Sequence, residues 1–247
     1  MKRKDTQLES ARPKQGGGWL VLRSGLLLAC LIFLLAGCGK SADPAEVVTA
    51  FIENTIYYQE SEEAETYFYR LEGNQKSDLV EDFKTGFDLS EEQAEALAGV
   101  YIDTLSAETQ FSTRLVKEEK GNYVVEVSVS GLDQSGFDQS LEQHTDDALI
   151  GYLQENGHPE IHSMDDLDTV AEEQQLQQLS DTFSSMSDEA YAQIAYEALT
   201  LAFQDLTAAQ DKQQLQISVQ RDEKEEKYWQ IVDEEEAFEA LLSAFQG

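Results

Sequence analysis

Two periodicities alternate along this chain. Val47, Val48, Phe51, Ile52 and Ile56 fall on one helical face. Ahead of them stands Asp43-Pro44-Ala45-Glu46: a cap residue, a proline at the first helical position and a glutamate three after the cap. Helical pieces follow at about 62–71 and 77–87. A capping box, Ser90-Glu91-Glu92-Gln93, then opens the clearest stripe: Ala94, Leu97, Ala98, Tyr101, Ile102 and Leu105. There the period drops to 2. Phe111, Thr113 and Leu115 alternate in one run, and Tyr123, Val125, Val127 and Val129 in the next. Residues 118–122 between them predict a β-hairpin with a loop slightly longer than the tightest kind, closed off by Gly131.

The order then recurs. Helical runs at about 140–155, 164–183 and 188–209 open at Ser140, Ser163 and Ser187, and Gly157 and Pro159 stop the first of them. Tyr191, Ile194, Ala195, Ala198, Leu199 and Ala202 give the third a buried face. Leu215, Ile217 and Val219 alternate with polar residues, a charged turn spans Arg221 to Lys227, and Tyr228 to Val232 returns as a strand. Asp233 and Glu236 cap a final helix carrying Ala237, Leu241, Leu242 and Phe245. A lone two-stranded hairpin is marginal in water. The predicted fold is therefore α+β: one antiparallel sheet built from two β-hairpins, packed against multiple helices on one face. The pattern carries no information on strand order.

The N-terminal segment reads differently. Gly25 to Ala36 is an apolar run too short to span a hydrocarbon core of about 30 Å, but it fits the apolar region of a signal peptide. The competing reading, an anchor helix from Trp19 to Gly37, is interrupted by Arg23. Leu35-Ala36-Gly37-Cys38 resembles the lipobox of bacterial lipoproteins. The resemblance implies that the Cys38 thiol receives a diacylglyceryl group and that a peptidase cuts just before it. Two acyl chains, at roughly 0.8 kcal/mol per methylene, hold where one is marginal. The expected organisation is a signal peptide over 1–37, a lipidated cysteine and short tether over 38–42, and an extracytoplasmic domain over 43–247 on the cell membrane.

Charge sharpens that division. The chain has 17 Lys and Arg against 49 Asp and Glu, a net of −32. Residues 1–37 carry six of the bases and two of the acids, so the remainder stands at −36. An acidic body argues against nucleic acid as partner and against adsorption to anionic head groups. With 41% hydrophobic residues in periodic arrays, it is nonetheless a folding sequence. Both cysteines, Cys30 and Cys38, precede the domain, which therefore folds without disulfides.

Candidate chemistry is sparse. His158 and His162 flank Glu160, but Gly157 and Pro159 put the pair in a loop rather than on one helical face, so no metal site is expected. His144 reads as a helix-edge residue. Asp133 and Asp138 lack the glycine and distal glutamate of an EF-hand. Nucleophile elbows, phosphate loops and dinucleotide fingerprints are absent, and no cofactor is expected. Asp165, Asp166 and Asp168 crowd a helix start, where the dipole favours them. Two aromatic runs remain, Tyr57-Tyr58 and Tyr67-Phe68-Tyr69. Consecutive aromatics cannot all face one core, so their exposed members form a candidate contact surface, with packing against the sheet as the alternative.

The lipobox, the helix pairs, "NYVVEVSVSGLD" and the closing "KYWQIVDEE" before a helix resemble a family of Gram-positive lipoproteins known only as a domain of unknown function. The C-terminal pattern is in turn similar to the NTF2-like (cystatin-like) superfamily, a curved antiparallel sheet around helices, from which 140–209 departs. The resemblance implies no catalytic residues. It implies a non-catalytic binding module for an envelope protein, a cationic peptide or a small ligand in the sheet's concavity. The alternatives are an envelope-acting enzyme with an unrecognised acid/base site and an acidic spacer. A short tether holds the first helix near the bilayer, which places a binding site on the far side, near hairpin turns or helix ends.

Overall fold

The computed structural model describes residues 42–59, 61–69, 71, 75–170 and 173–247. Its helices are α1 (Pro44–Thr55), α2 (Glu62–Tyr67), α3 (Lys76–Phe87), α4 (Glu91–Glu108), α5 (Phe137–Glu155), α6 (Met164–Thr169), α7 (Glu173–Ser184), α8 (Asp188–Gln204) and α9 (Glu234–Gln246). The strands are β1 (Gln110–Glu119), β2 (Asn122–Ser130), β3 (Leu132–Asp133), β4 (Thr207–Ala208), β5 (Gln213–Arg221) and β6 (Trp229–Ile231). This is the expected α+β class: both hairpins join one antiparallel sheet in the order β1-β2-β5-β6, and β3 pairs with β4 in a separate ribbon.

Register sorts the sheet into two faces. Val125 opposes Leu115 and Ile217, and Tyr123 opposes Val219, which in turn opposes Ile231. These residues lie on the core side with α1 and α9, where Val47, Val48, Phe51, Ile52, Leu241 and Phe245 are fully buried. The rows Ser112–Ser128–Gln214 and Arg114–Glu126–Gln216 occupy the other, polar face. A second, smaller cluster of Leu153, Ile161 and Leu179 closes α5, α7 and the loop between α5 and α6 on one another.

Several local expectations are corrected. The first hairpin closes through Lys120-Gly121 alone, with Glu119 opposite Asn122. Lys120 at φ 51° and Gly121 at φ 84° give the left-handed pair that suits the strands' twist. A bulge between Leu115 and Lys117 absorbs the extra residue. The helix predicted over 164–183 is two helices, α6 and α7. The one predicted to 209 ends at Gln204, since Thr207-Ala208 pairs with Leu132-Asp133. Ser140 lies inside α5, whose cap is Gly136. Asp233 takes a left-handed backbone (φ 51°) and makes no side-chain cap to α9. Tyr191, predicted inward, is 54% exposed; α8 instead buries Ala192, Ala198, Leu199, Ala202 and Phe203.

The capping boxes were readable. Ser90 accepts from the Gln93 amide while Gln93 returns a bond to the Ser90 amide, and Asp43 accepts from Ala45. Each such cap is worth about 1 kcal/mol.

Candidate functional site

Cys38 and the lipobox residues Leu35, Ala36 and Gly37 lie outside the described residues. Ala42 is the first described residue, and it packs against the core. Two contacts fix the direction of the helix that follows. Thr49 Oγ1 lies 2.9 Å from Thr113 Oγ1, while Tyr57 Oη lies 2.7 Å from Thr109 Oγ1. Helix α1 thus runs antiparallel to β1, and its start lies toward Leu115 and the Lys120-Gly121 turn. Because Gln220 pairs with both Asn122 and Gln230, the turn between β5 and β6 lies at that same end. The expectation that a binding site lies near hairpin turns pointing away from the first helix's start is therefore corrected: both turns stand at the end where α1 begins. The opposite end carries β3 and β4, where the chain leaves into α5 and returns from α8.

The five aromatic residues divide. Tyr57 is buried, its ring against Phe111 and Phe245. Phe68 is buried against Phe51. Tyr58, with φ 55°, and Tyr67 are half-buried. Tyr69 alone is broadly exposed, at 73%, and its ring meets Tyr228 at 5.6 Å. Of the five, Tyr57 and Phe68 thus belong to the core, and the exposed Tyr69 lies against the half-buried Tyr228. Helix α2 ends at Tyr67, and the extended backbone of Phe68 turns consecutive side chains to opposite sides.

Two open clefts lie on the helical layer. One, of about 820 Å³, runs between α3 and α4 and is lined by Lys76, Glu81, Lys84, Glu91, Glu92 and Glu95. The other, of about 780 Å³, lies between the first turns of α4 and α8 and includes Asp88, Glu92, Gln93, Asp188, Glu189 and Gln193. They share Glu92 and Ala96. Gln93 Nε2 donates to Gln193 Oε1 at 3.0 Å and ties the two helices together beneath them. Helix dipoles explain why carboxylates gather here, since each first turn favours negative charge. The carboxyl of Glu189 is held below its ordinary range, chiefly by its own backbone amide and then by Ser187. The acidic first turns were visible in the sequence; their convergence was not, because it depends on α4 and α8 lying side by side.

The histidines serve as joints. His144 Nε2 and Ser140 Oγ both contact Asp205 Oδ2 at 2.7 Å, linking α5 to the end of α8. These are the residue types of a hydrolytic triad in the wrong connectivity. The serine donates to the carboxylate and not to the imidazole, so nothing accepts its proton in the manner of a general base. His158 is buried, with Nε2 2.9 Å from Thr182 Oγ1. His162 Nδ1 lies 3.3 Å from Gln154 Nε2. Among the described residues no group of three His, Cys, Asp or Glu side chains is placed to hold a metal, and no helix is long and apolar enough to cross a membrane.

No protein-family model and no curated protein matches this chain. Among solved structures it resembles the crystal structure of a "putative lipoprotein" (ycdA) from Bacillus subtilis, with a TM-score of 0.55 and 15% identity. The match covers 84% of this chain but 57% of that one, so the chain spans little more than half of its neighbour's length. At this identity the likeness is one of fold.

Proposed function

We propose that this chain is a lipoprotein, anchored to the outer side of the cell membrane through Cys38, whose domain binds a cationic peptide segment of an envelope partner. The observation that carries the binding reading is the pair of adjoining clefts, where Glu91, Glu92, Glu95, Asp188 and Glu189 outnumber Lys76 and Lys84. The lipobox at 35–38 and the fold shared with a protein described as a lipoprotein support the anchor. The likeness to NTF2-like proteins rests on the closing strand-and-helix pattern alone. A small ligand in the sheet's concavity is the weaker reading, since Phe51, Ile52, Leu241 and Phe245 fill the space over the apolar face.

Two measurements test this. Radiolabelled palmitate should enter the wild-type chain and not a Cys38→Ala variant, which should be released from the membrane. A fluorescent oligolysine peptide should bind the purified protein with a salt-sensitive anisotropy change. Neutralising Glu92 and Glu189 to Gln should weaken binding at least several-fold. Equal weakening by Glu142→Gln and Asp146→Gln, on α5 outside both clefts, would show diffuse charge attraction and remove the clefts from the reading.

A further inference from the structure

The last turn of α5 is stitched to the loop that follows it. Asn156 caps the helix, and its side-chain Nδ2 donates to the Tyr152 carbonyl at 2.8 Å, beside its own backbone amide. His158 N donates to Leu153 O at 3.0 Å, Ile161 N to His158 O at 3.2 Å, and Gln154 Nε2 to Ile161 O at 2.7 Å. These bonds hold Ile161 against Leu153 and Leu179, the centre of the smaller apolar cluster. They also set His158 Nε2 beside Thr182 of α7.

Between Asn156 and His158 this stitching has a gap. Asn156 and Gly157 are both exposed, and among the described residues nothing accepts from the Gly157 amide. Gly157 takes φ 101°, and a Cβ there would meet nothing within 4 Å, so the nitrogen stands in open space. Of the four asparagines, only Asn156 precedes a glycine. Asn54 lies in α1 ahead of Thr55, and Asn122 opens β2 ahead of Tyr123. An asparagine side-chain amide is an electrophile for the next backbone nitrogen. A side chain on that next residue hinders the approach, and glycine removes the hindrance while letting the backbone turn.

We propose that Asn156-Gly157 is a site of spontaneous covalent modification in the folded protein. The Gly157 nitrogen gives up its proton to hydroxide and attacks Asn156 Cγ. The Cγ–Nδ2 bond breaks, and ammonia departs carrying back a proton from water. A second water then opens the succinimide ring at either carbonyl, leaving aspartate or isoaspartate at 156. The net change is one water consumed and one ammonia released, with nothing oxidised or reduced. Ring closure requires Asn156 to leave its ψ of 25° and release the Tyr152 carbonyl. Helix ends open locally at little cost, and the unhindered glycine follows without strain.

Either product weakens the stitching. A carboxylate at 156 loses the donor to Tyr152 O and sets negative charge at the C-terminal end of α5, where the helix dipole disfavours it. The surrounding segment, residues 134–206, carries 16 Asp and Glu and no Lys or Arg to offset it. Isoaspartate also adds a backbone carbon ahead of Gly157, which shifts His158 and Ile161 relative to Leu153. The site is thus a slow covalent clock whose product loosens α7 from α5. It depends on neither the Cys38 anchor nor the acidic clefts.

The full chain is aged at mildly alkaline pH, folded and in urea, and its peptides are mapped by mass spectrometry against a sample taken at time zero. The peptide carrying Asn156 should gain the mass that separates a hydroxyl from an amino group and split into aspartyl and isoaspartyl forms. In the folded chain this conversion should run several-fold faster than at Asn54 or Asn122 and should quicken as pH rises. Asn156→Gln should abolish it, because the larger ring closes far more slowly. An Asn156 that stays intact in the folded chain while the urea sample converts overturns the proposal. Conversion no faster than at Asn54 and Asn122 does the same. Asn156→Asp shows the effect of the product without ageing. Hydrogen exchange at the His158 and Ile161 amides should quicken several-fold in that variant while exchange at Val127 stays unchanged. Unaltered exchange at 158 and 161 overturns the loosening of α7.

Discussion

Asn122 and Gln220 face one another across β2 and β5. That single pairing fixes the relation between the two halves of the chain. It sets both hairpin turns at one end, which the Thr49–Thr113 contact makes the end where α1 begins, and it leaves β3 and β4 at the other.

Gly131 stands where that other end is tightest. A side chain there would collide with the carbonyl oxygens of Ala244 and Phe245, at the end of α9, and the Gly131 carbonyl accepts from Ala209 at 2.7 Å. Gly131→Ala should lower stability by about 2 kcal/mol or more, in the range of overpacked cores. Gly99, inside α4 with nothing near its missing Cβ, should behave oppositely. Gly99→Ala should raise stability by about 0.8 kcal/mol through helix propensity. Denaturant midpoints of the two variants check both signs.

Tyr57 donates to Thr109 Oγ1, because the Thr109 hydroxyl proton is committed to Leu105 O at 2.7 Å. Tyr57→Phe removes one bond and keeps the ring packing, so about 1 kcal/mol should be lost. Tyr57→Ala should cost about 3–5 kcal/mol. Burial first, opposed by the Thr109 bond, raises the phenol's pKa; burial likewise raises that of Tyr101. A raised pKa in the folded state means stability that is full below the usual phenol range and falls as pH rises through it. Alkaline melting of the wild type should therefore be steeper than that of a Tyr57→Phe, Tyr101→Phe double variant.

Glu53 is pushed up, first by burial and then by the nearby Glu63 carboxylate. Its charged form is thus disfavoured in the folded protein, and stability falls as pH rises through its titration. Glu53→Gln should raise the melting temperature at pH 7 by about 1–2 °C, the equivalent of roughly 0.5 kcal/mol for a group still largely solvated. At pH 4 the gain should vanish.

Asp205 is held low by His144 first and Ser140 second. A depressed carboxyl stabilises above its unfolded pKa and loses that contribution as pH falls through the folded value. His144→Ala should cost no more than about 1 kcal/mol near neutrality, given the exposure of Asp205. The gap between variant and wild type should close as the carboxylate range is crossed, as melting curves from pH 7 down to pH 3 would show.

Much of this fold was legible where its causes are local. The capping boxes at Ser90 and Asp43, the stripe from Ala94 to Leu105 and the alternation from Tyr123 to Val129 each state their element within a few residues. Legibility failed where a distant partner decides. Thr207-Ala208 continues a helical pattern and becomes a strand because Leu132-Asp133 pairs with it. Tyr57 and Phe68 look alike to their exposed neighbour Tyr69 until Phe245 and Phe51 bury them. The acidic clefts depend on the Gln93–Gln193 contact across a hundred residues.

The sequence by itself determined the signal-like head, the candidate anchor cysteine, the charge of each segment and the type of the strongly periodic elements, because each follows from composition or from spacing shorter than one turn or strand. Only the tertiary structure decided which elements are neighbours, and with that where charge and aromatic surface accumulate. Side-chain period says which face of a strand is apolar. It cannot say which strand lies beside it, and the β2–β5 pairing is what brings both hairpin turns to one end of the sheet.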